Sequence, residues 1–369
     1  MTVHLVYPAS DAIKTPFAIG RELALRLGER YRVQLHDDHR ARYRITPEPG
    51  DVLIGHPTWE PDTVFNASLD HPGWRRRICI HPFAPGDLSQ VAHLDRILPR
   101  CQQFLAITGP YWIGALPQSR CRHFLPKTVH LDLAVNRAHF PPVKTRFNAK
   151  GKRRFLYIGN HPWYKNIPYL DRLAAKLPEV EFAWIGSQKA KYSHLRQLGG
   201  RDFSDPAARA LAAEYDFMIT VGRADANPTT ILEVMGWGLI PVCTPQSGYQ
   251  GIEGIVNLPI DDLSGACAVI RRLQQVEDET LRNWQGANWR SLDQHYNWDR
   301  FSDTVIAAIE SDRSPQMPAA RLSDALALAW NLLASPNSRW RMRKIKRRLS
   351  RYFSGTSGIP GDAHGNNIQ

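Results

Sequence analysis

Short apolar segments, each ending in polar or turn-forming residues, recur along this chain and constrain its fold most strongly. Residues 3–8, 51–57, 76–83 and 103–110 are such segments, and helical patterns stand between several of them. Fully apolar strands that alternate with helices are typical of parallel sheets covered by helices on both faces. The sequence therefore predicts an α/β fold of doubly wound, Rossmann-like sheets.

The alternation of strands and helices stops at the polar, basic stretch VKTRFNAKGKRR, residues 143–154. It then restarts with apolar segments at residues 154–159, 180–186, 216–222 and 240–244. The same architecture is thus expected twice, although no sequence repeat is visible. Two such domains would face each other across a cleft, with ligands at the carboxyl ends of the strands.

Four regions follow from this organisation. Residues 1–142 are predicted to form an acceptor-side domain and residues 143–296 a domain that binds a nucleotide sugar. A helix at residues 297–312 is expected to return to the first domain. Residues 313–369 are expected to form a helical, basic tail with a disordered end.

The positive charge of the chain is concentrated near its C-terminus. The net charge is +12, and it falls to +4 without the eight Lys and Arg of residues 338–353 (SRWRMRKIKRRLSRYF). This segment combines cations with an apolar stripe, which is typical of a helix that lies on an anionic membrane surface. Two alternatives stay open: binding of a polyanion, and a solvated helix docked on the body. No nucleic-acid partner is expected for the protein.

The five cysteines are far apart and form no Cys-x-x-Cys pair, so neither a disulfide framework nor a zinc site is indicated. The first residues lack the features of a signal peptide, and no apolar run is long enough to cross a bilayer. A cytoplasmic protein is therefore expected, with peripheral attachment to the inner face of the membrane left open.

The stretch ANPTTILEVMGWG at residues 226–238 has the start signals of a helix. Asn227 is the expected N-cap and Pro228 the first helical residue. The free backbone N–H groups of Thr229, Thr230 and Ile231 would then form an anion site, which phosphate usually occupies. The alternative is a well-capped helix packed between strands.

Two acids flank this helix start in different ways. Glu233 lies inside the helix, on the face of the threonines, and its carboxylate could accept two hydrogen bonds from a ribose diol. Asp225 lies in the loop before the helix. Lys165 follows the strand at residues 154–159 and would face the same edge, where it could neutralise a diphosphate. The alternative for Lys165 is a solvated surface lysine.

Together these residues resemble the retaining glycosyltransferases of the two-domain GT-B fold, in particular family four. The resemblance covers about residues 1–312. It is carried by a strand ending at Gly159, by WIGS at residues 184–187, and by two acids with seven residues between them, Asp225 and Glu233. EVMGWGLIPVC at residues 233–243 and LDLAVNRAHFPP at residues 131–142 resemble further motifs of that family.

The resemblance implies roles for individual residues. Glu233 would hold the nucleotide ribose, Asp225 would contact hydroxyls of the donor sugar, and Lys165 with Thr229 and Thr230 would hold the diphosphate. His81 matches a cleft histidine near the transferred sugar, and the alternative is a structural histidine at a strand end. The catalytic set is thus Lys165, Asp225 and His81.

The other expected contacts surround this set. The remaining donor-side residues are Gly159, Asn160, Gly186, Phe203, Arg223 and Asn227. Ser10 and Lys14, in the loop after the first strand, are assigned to the acceptor side. Phe203 would wall the base, or else pack in the core.

This sequence departs from the family pattern at two positions. Asn160 stands where the family has an arginine, so Arg223 is a candidate second cation. The first acid is Asp225 rather than glutamate, which weakens any inference about the sugar.

The predicted function is transfer of a sugar from a nucleotide-diphosphate donor to a glycan or lipid-linked acceptor, with retained anomeric configuration. The expected setting is cell-surface polysaccharide or glycolipid assembly. No Asp-x-Asp motif is found, so neither a metal site nor a cofactor is expected. The alternatives are a catalytically weak binding protein of the same fold and a nucleotide-sugar epimerase.

Overall fold

The computed structural model of the protein describes residues 1–8, 17–37, 42–186 and 192–334. Ser10, Lys14 and residues 338–353 lie outside these ranges, so their predicted roles stay predictions. Within the described ranges, no helix is long and apolar enough to span a membrane.

The first half of the chain forms a six-stranded sheet in which every pair of neighbouring strands is parallel. Its strands are β1 (Thr2–Tyr7), β2 (Arg32–Asp37), β3 (Val52–Gly55), β4 (Arg76–Pro82), β5 (Gln103–Ile107) and β6 (Thr128–Leu131), in the order β2-β1-β3-β4-β5-β6. The helices of this half are α1 (Phe17–Leu27), α2 (Val64–Ser68), α3 (Leu88–Val91), α4 (Leu94–Ile97) and α5 (Pro110–Ala115).

The second half repeats this arrangement with a second parallel sheet. Its strands are β7 (Phe155–Ile158), β8 (Phe182–Ile185), β9 (Arg196–Gly199), β10 (Phe217–Thr220), β11 (Ile240–Cys243) and β12 (Val256–Asn257), in the order β12-β11-β10-β7-β8-β9. The helices are α6 (Ile167–Ala175), α7 (Pro206–Ala213), α8 (Thr229–Trp237), α9 (Leu263–Gln274) and α10 (Asp278–Gln294). Two doubly wound sheets are what the alternating pattern predicts.

The central strands are apolar because both of their faces are covered. In β1, Val3 and Leu5 contribute to one buried cluster, while Val6 contributes to another on the opposite face of the sheet. β3, β5, β8, β10 and β11 are buried along their whole length. Burial of each large aliphatic side chain contributes about 1.5–3 kcal/mol, so these strands hold the two sheets together.

The basic stretch at residues 143–154, which looks like a solvated linker in the sequence, is partly buried. The Lys144 ammonium lies 3.0 Å from the Asp216 carboxylate, and both side chains are almost fully enclosed. Arg153 is also enclosed and pairs with Asp278 at 2.5 Å. These cations therefore fasten the connecting segment to the second sheet, and the domain limits themselves stay a prediction.

Two helices follow the second sheet. Helix α11 (Trp298–Glu310) packs against α1 and β4, in the first half of the molecule. Helix α12 (Leu322–Ala334) packs against α3, with Leu328 fully buried. The Arg122 guanidinium, 3.1 Å from the Asp324 carboxylate, ties α12 to the body.

All five cysteines are buried free thiols. Cys79, Cys101 and Cys121 belong to the first half, and Cys243 and Cys267 to the second. Burial raises the pKa of Cys101, Cys121 and Cys243 to about 12, so these thiols are protonated at neutral pH.

Candidate functional site

The loop between β10 and α8, which carries Asp225, is fixed by the neighbouring strand β11. The Thr244 hydroxyl donates a hydrogen bond of 2.6 Å to the Gly222 carbonyl. The backbone N–H of Asp225 donates to the Gln246 carbonyl at 3.0 Å. The loop is therefore held at the carboxyl edge of the second sheet, where ligands of such sheets bind.

Lys165 reaches the same edge from β7. It closes a short 3-10 helix (Trp163–Lys165), and this turn is joined to the Asp225 loop because the Arg223 N–H donates to the Tyr164 carbonyl at 2.7 Å. The Lys165 ammonium forms an ion pair with the Asp225 carboxylate. Only 20% and 12% of these two side chains are exposed. The structure thus brings together two of the three residues that the sequence assigns to catalysis.

Helix α8 begins one residue later than the sequence indicates. Pro228, in an extended conformation, occupies the N-cap, and Thr229 is the first helical residue. The Ile231 N–H donates to the Pro228 carbonyl at 3.1 Å, so it is not available to an anion. The expected set of free donors is thereby reduced to Thr229 and Thr230. Among the described residues, the Thr230 N–H has no printed acceptor.

Asn227 is not the helix cap, because its side chain serves another contact. The Tyr249 hydroxyl, which is fully buried, donates to the Asn227 amide oxygen at 2.7 Å. The Asn227 Nδ2 is buried and has no hydrogen-bond partner within the described part of the chain. Tyr249 thus fixes the amide just before the helix start and leaves its two donor hydrogens available.

Glu233 lies apart from the Lys165–Asp225 pair, in a narrow cavity between the two halves of the molecule. Thr229 shares this cavity, as do Arg21 and Glu22 from α1. Asn136 and the other wall residues from 134 to 140 close it on the side of the interdomain segment. Burial raises the pKa of the Glu233 carboxyl to about 7. The two acids of the motif therefore face different surroundings.

The ends of β7 and β8 approach each other closely at two glycines. The Trp184 indole N–H donates to the Gly159 carbonyl at 2.7 Å. A Cβ atom at Gly186 would lie 2.6 Å from that carbonyl oxygen, and Gly159 has φ of +142°, so both positions favour glycine. The Asn160 carbonyl accepts a 2.6 Å hydrogen bond from the Tyr157 hydroxyl.

His81, at the end of β4, belongs to a group of three histidines at the carboxyl edge of the first sheet. Its ring stacks on His56 with 4.6 Å between centroids, and His93 meets it edge-on at 4.9 Å. Burial, then the neighbouring imidazoles, lowers the pKa of His81 well below its usual value. Burial also lowers the pKa of His56 to about 4 and that of His93 to about 3.

The protonated nitrogen of His81 follows from its contact. Nδ1 lies 2.5 Å from the Pro82 carbonyl oxygen, which can only accept, so Nδ1 carries the proton. In the neutral ring, Nε2 is then an acceptor. His81 therefore offers a lone pair at this edge rather than a positive charge.

Phe203 and Arg223 are turned toward other partners. The Phe203 ring lies 4.8 Å from the Trp237 ring and packs against the hydrophobic core. The Arg223 side chain is 46% exposed, with its guanidinium 3.9 Å from the Asp261 carboxylate. The core alternative for Phe203 thus describes its present contact, and the proposed second cation lies toward solvent.

The contact between the two halves was missed from the sequence. The Gly109 N–H, at the start of α5, donates to the Ala226 carbonyl at 3.0 Å, and the Trp112 indole N–H donates to the Asp225 carbonyl at 2.9 Å. A Cβ atom at Gly109 would lie 2.0 Å from the Gly248 carbonyl oxygen. The first half therefore grips the loop that carries Asp225. The Gly-Pro pair at residues 109–110 marks this turn, but nothing in the sequence names its partner.

No protein-family model matches the sequence, and no curated protein matches it. Solved structures do match. The chain superimposes on a sucrose-phosphate synthase from Thermosynechococcus elongatus with a TM-score of 0.61 at 10% identity, over 83% of this chain and 98% of that one. It superimposes on HepE from Anabaena, solved with UDP and glucose, with a TM-score of 0.55 at 11% identity, over 83% and 99%.

A UDP-forming α,α-trehalose-phosphate synthase from Burkholderia xenovorans gives a TM-score of 0.55 at 10% identity, over 71% of this chain and 73% of that one. Identities this low show the fold alone. The two parallel six-stranded sheets have the GT-B arrangement of these enzymes, so the predicted fold class is confirmed. The resemblance to retaining GT-B glycosyltransferases thus holds for the structure as well as for the motifs.

Proposed function

We propose that the protein moves a sugar from a nucleotide-diphosphate donor to a glycan or lipid-linked acceptor, with retention of the anomeric configuration. The observation that carries this proposal is the pairing of Lys165 with Asp225 at the carboxyl edge of the second sheet, beside the start of α8. HepE, which shares the fold, was solved with UDP and glucose. In the same proposal the reaction belongs to cell-surface polysaccharide or glycolipid assembly, on the cytoplasmic side of the membrane.

The donor would span the two acids of the motif. Its diphosphate would lie against Lys165 and the N–H groups of Thr229 and Thr230, because a cation and a helix N-terminus both stabilise phosphate. The ribose would reach Glu233, and Asp225 would accept hydrogen bonds from the sugar. Gly159, Asn160, Gly186, Phe203, Arg223 and Asn227 complete the proposed donor side, and Ser10 and Lys14 the acceptor side.

The ion pair also suggests how donor binding is coupled to site assembly. In the free protein, Asp225 neutralises Lys165. A diphosphate carries more negative charge than one carboxylate and would displace Asp225 from the ammonium. The released Asp225 could then turn to the sugar hydroxyls, so both groups would reach their working partners in one step.

In the transfer step the bond between the anomeric carbon and the diphosphate breaks, and a bond to the acceptor oxygen forms on the same face. The acceptor proton passes to a diphosphate oxygen. Lys165 and the helix start stabilise the charge that develops on the leaving group, which is a major contribution in reactions of this kind. The His81 Nε2 lone pair, at the facing edge, would accept a hydrogen bond from a sugar hydroxyl.

A thermal-shift screen with UDP, GDP, ADP and TDP sugars tests the donor assignment, since a bound donor stabilises the fold by mass action. We expect one base to raise the melting temperature well above the others. Lack of any shift at millimolar concentrations of all four would contradict the proposal. Product analysis of the best donor then separates transfer from epimerisation, which needs no acceptor, and from binding without turnover. Transfer is expected to survive in EDTA.

A further inference from the structure

Helix α12 exposes an apolar stripe that its position on the body does not explain. Leu322 is 77% exposed, Leu326 63% and Trp330 71%. These residues are spaced by four, so at about 100° per residue they share one side of the helix within about 80°. We call them the α12 stripe.

The opposite side of α12 is the side that docks. Leu328 is fully buried, and Asp324 is buried against Arg122. These two positions lie on the far side of the helix from the α12 stripe. The helix is thus fixed to the first half of the molecule with large apolar side chains directed away from it. Exposed apolar surface of this kind marks an interaction site.

The charge around the α12 stripe selects its partner. Asp324 is the only acid of the helix, and it points toward the body. Exposed Arg321 precedes the helix, and residues 338–353, with eight Lys and Arg and no acid, begin four residues after it ends. An apolar stripe with cations at both ends matches the interface of an anionic bilayer, where apolar side chains insert and cations meet headgroups.

A second copy of the chain fits the α12 stripe less well. A stable interface between proteins buries about 800 Å² on each partner, far more than three side chains provide. Pairing two such helices would also bring two clusters of eight cations together, which is unfavourable.

We propose that the outward face of α12 is a docking surface for a bilayer with anionic headgroups. The stripe inserts into the boundary between headgroups and acyl chains, while Arg321 and residues 338–353 bind the phosphates. This inference extends the proposed function, because it would place the site near a lipid-linked acceptor. It does not depend on the reaction, since membrane binding can be measured without turnover.

Flotation of the full-length chain tests the proposal, with vesicles of phosphatidylcholine alone and vesicles that contain phosphatidylglycerol. We expect binding only to the anionic vesicles, weakened by salt. Trp330→Glu should lower the partition coefficient at least about tenfold, because it removes an inserted ring and adds a charge. The matched control is Leu25→Glu, which changes a 66% exposed residue of α1 and should leave binding unchanged. Donor-induced thermal shifts should be the same in all three proteins.

Three results would overturn the proposal. The first is no flotation of the wild-type chain with anionic vesicles. The second is equal flotation of Trp330→Glu and wild type, which would mean that residues 335–369 bind alone or cover the stripe. The third is a wild-type dimer in light scattering that Trp330→Glu converts to a monomer, which would identify a second copy as the partner.

Discussion

The carboxyl edges of the two sheets meet at the interdomain contact but hold opposite chemistry. The edge of the second sheet carries a close ion pair, Lys165 with Asp225. The edge of the first sheet carries three histidines whose pKa values are lowered by burial, so they are neutral at pH 7. Charge is thus stored on one side only.

This difference matches the two substrates of the proposed reaction. A nucleotide diphosphate is an anion and needs a cation and a helix start, whereas an acceptor hydroxyl is neutral and needs hydrogen-bond acceptors. Separate edges allow each environment to be tuned without disturbing the other. Five changes test whether the division of labour is real, in order of expected effect.

Removing the cation should have the largest effect. Lys165→Ala is expected to lower the transfer rate by about 10²–10³-fold, as does loss of one transition-state charge donor elsewhere. Steady-state kinetics with the donor found by the thermal screen would measure it. The control is Lys176→Ala, at the exposed end of α6, which should keep wild-type turnover. Full activity of Lys165→Ala would remove the charged edge from the mechanism.

Neutralising the acid should separate binding from turnover. Asp225→Asn is expected to lower kcat by about tenfold or more, because a contact to the sugar is weakened. It should at the same time tighten binding of the free nucleoside diphosphate, since Lys165 no longer has a competing carboxylate. Calorimetry with UDP or the relevant nucleotide measures this, with Asp261→Asn, 81% exposed, as control. Weaker diphosphate binding in Asp225→Asn would contradict the competition.

A methyl group at the contact between the edges should uncouple them. Gly109→Ala places a Cβ atom 2.0 Å from the Gly248 carbonyl oxygen, so one loop must move. We expect kcat to fall several-fold to tenfold while nucleotide affinity, which resides on the second sheet, stays within about twofold. Gly114→Ala on the same helix has no atom within 4 Å and should behave as wild type.

Glu233 should link donor binding to stability. Burial raises its pKa from 4.5 to about 7, so ionisation of the folded protein becomes costly as the pH rises through this range. Glu233→Gln should therefore stabilise the free protein by up to about 3 kcal/mol at pH 8, and hardly at all near pH 4. Donor affinity should fall. Chemical denaturation at both pH values measures the first effect, with exposed Glu29→Gln as control.

The histidine edge should give the smallest effect, seen only in acid. Because the folded-state pKa values of His56 and His93 are lowered to about 4 and 3, the unfolded chain binds protons first as the pH falls below about 6.5. Stability should decline from there to about pH 4. His93→Phe should flatten this decline, since neither ring nitrogen has a partner among the described residues, whereas exposed His295→Phe should not.

The sequence predicts the strands of this fold well where both faces are buried. It does not reveal β9, whose residues Arg196–Gly199 are polar and largely exposed at the sheet edge, or β12, which has only two residues. Turn chemistry identified the start of α8 to within one residue, because an extended proline can serve as cap.

For the candidate site, residue types and strand ends were enough to choose Lys165 and Asp225. Their mutual contact could not be predicted, because the residues are 60 positions apart and belong to different strands. The same limit hid Trp112, which contacts a loop 113 positions away. Contacts across domains depend on how two finished surfaces meet, and no local pattern records that.

The five enclosed thiols give the protein a built-in reporter of its own opening. Since Cys101 lies inside the first half and Cys243 inside the second, an alkylating reagent can modify either only after its own half has opened. Mass spectra of peptides from a single time course would therefore give two opening rates from one molecule. If donor slows labelling of Cys243 more than that of Cys101, the ligand's stabilising effect is localised to one lobe without any introduced probe.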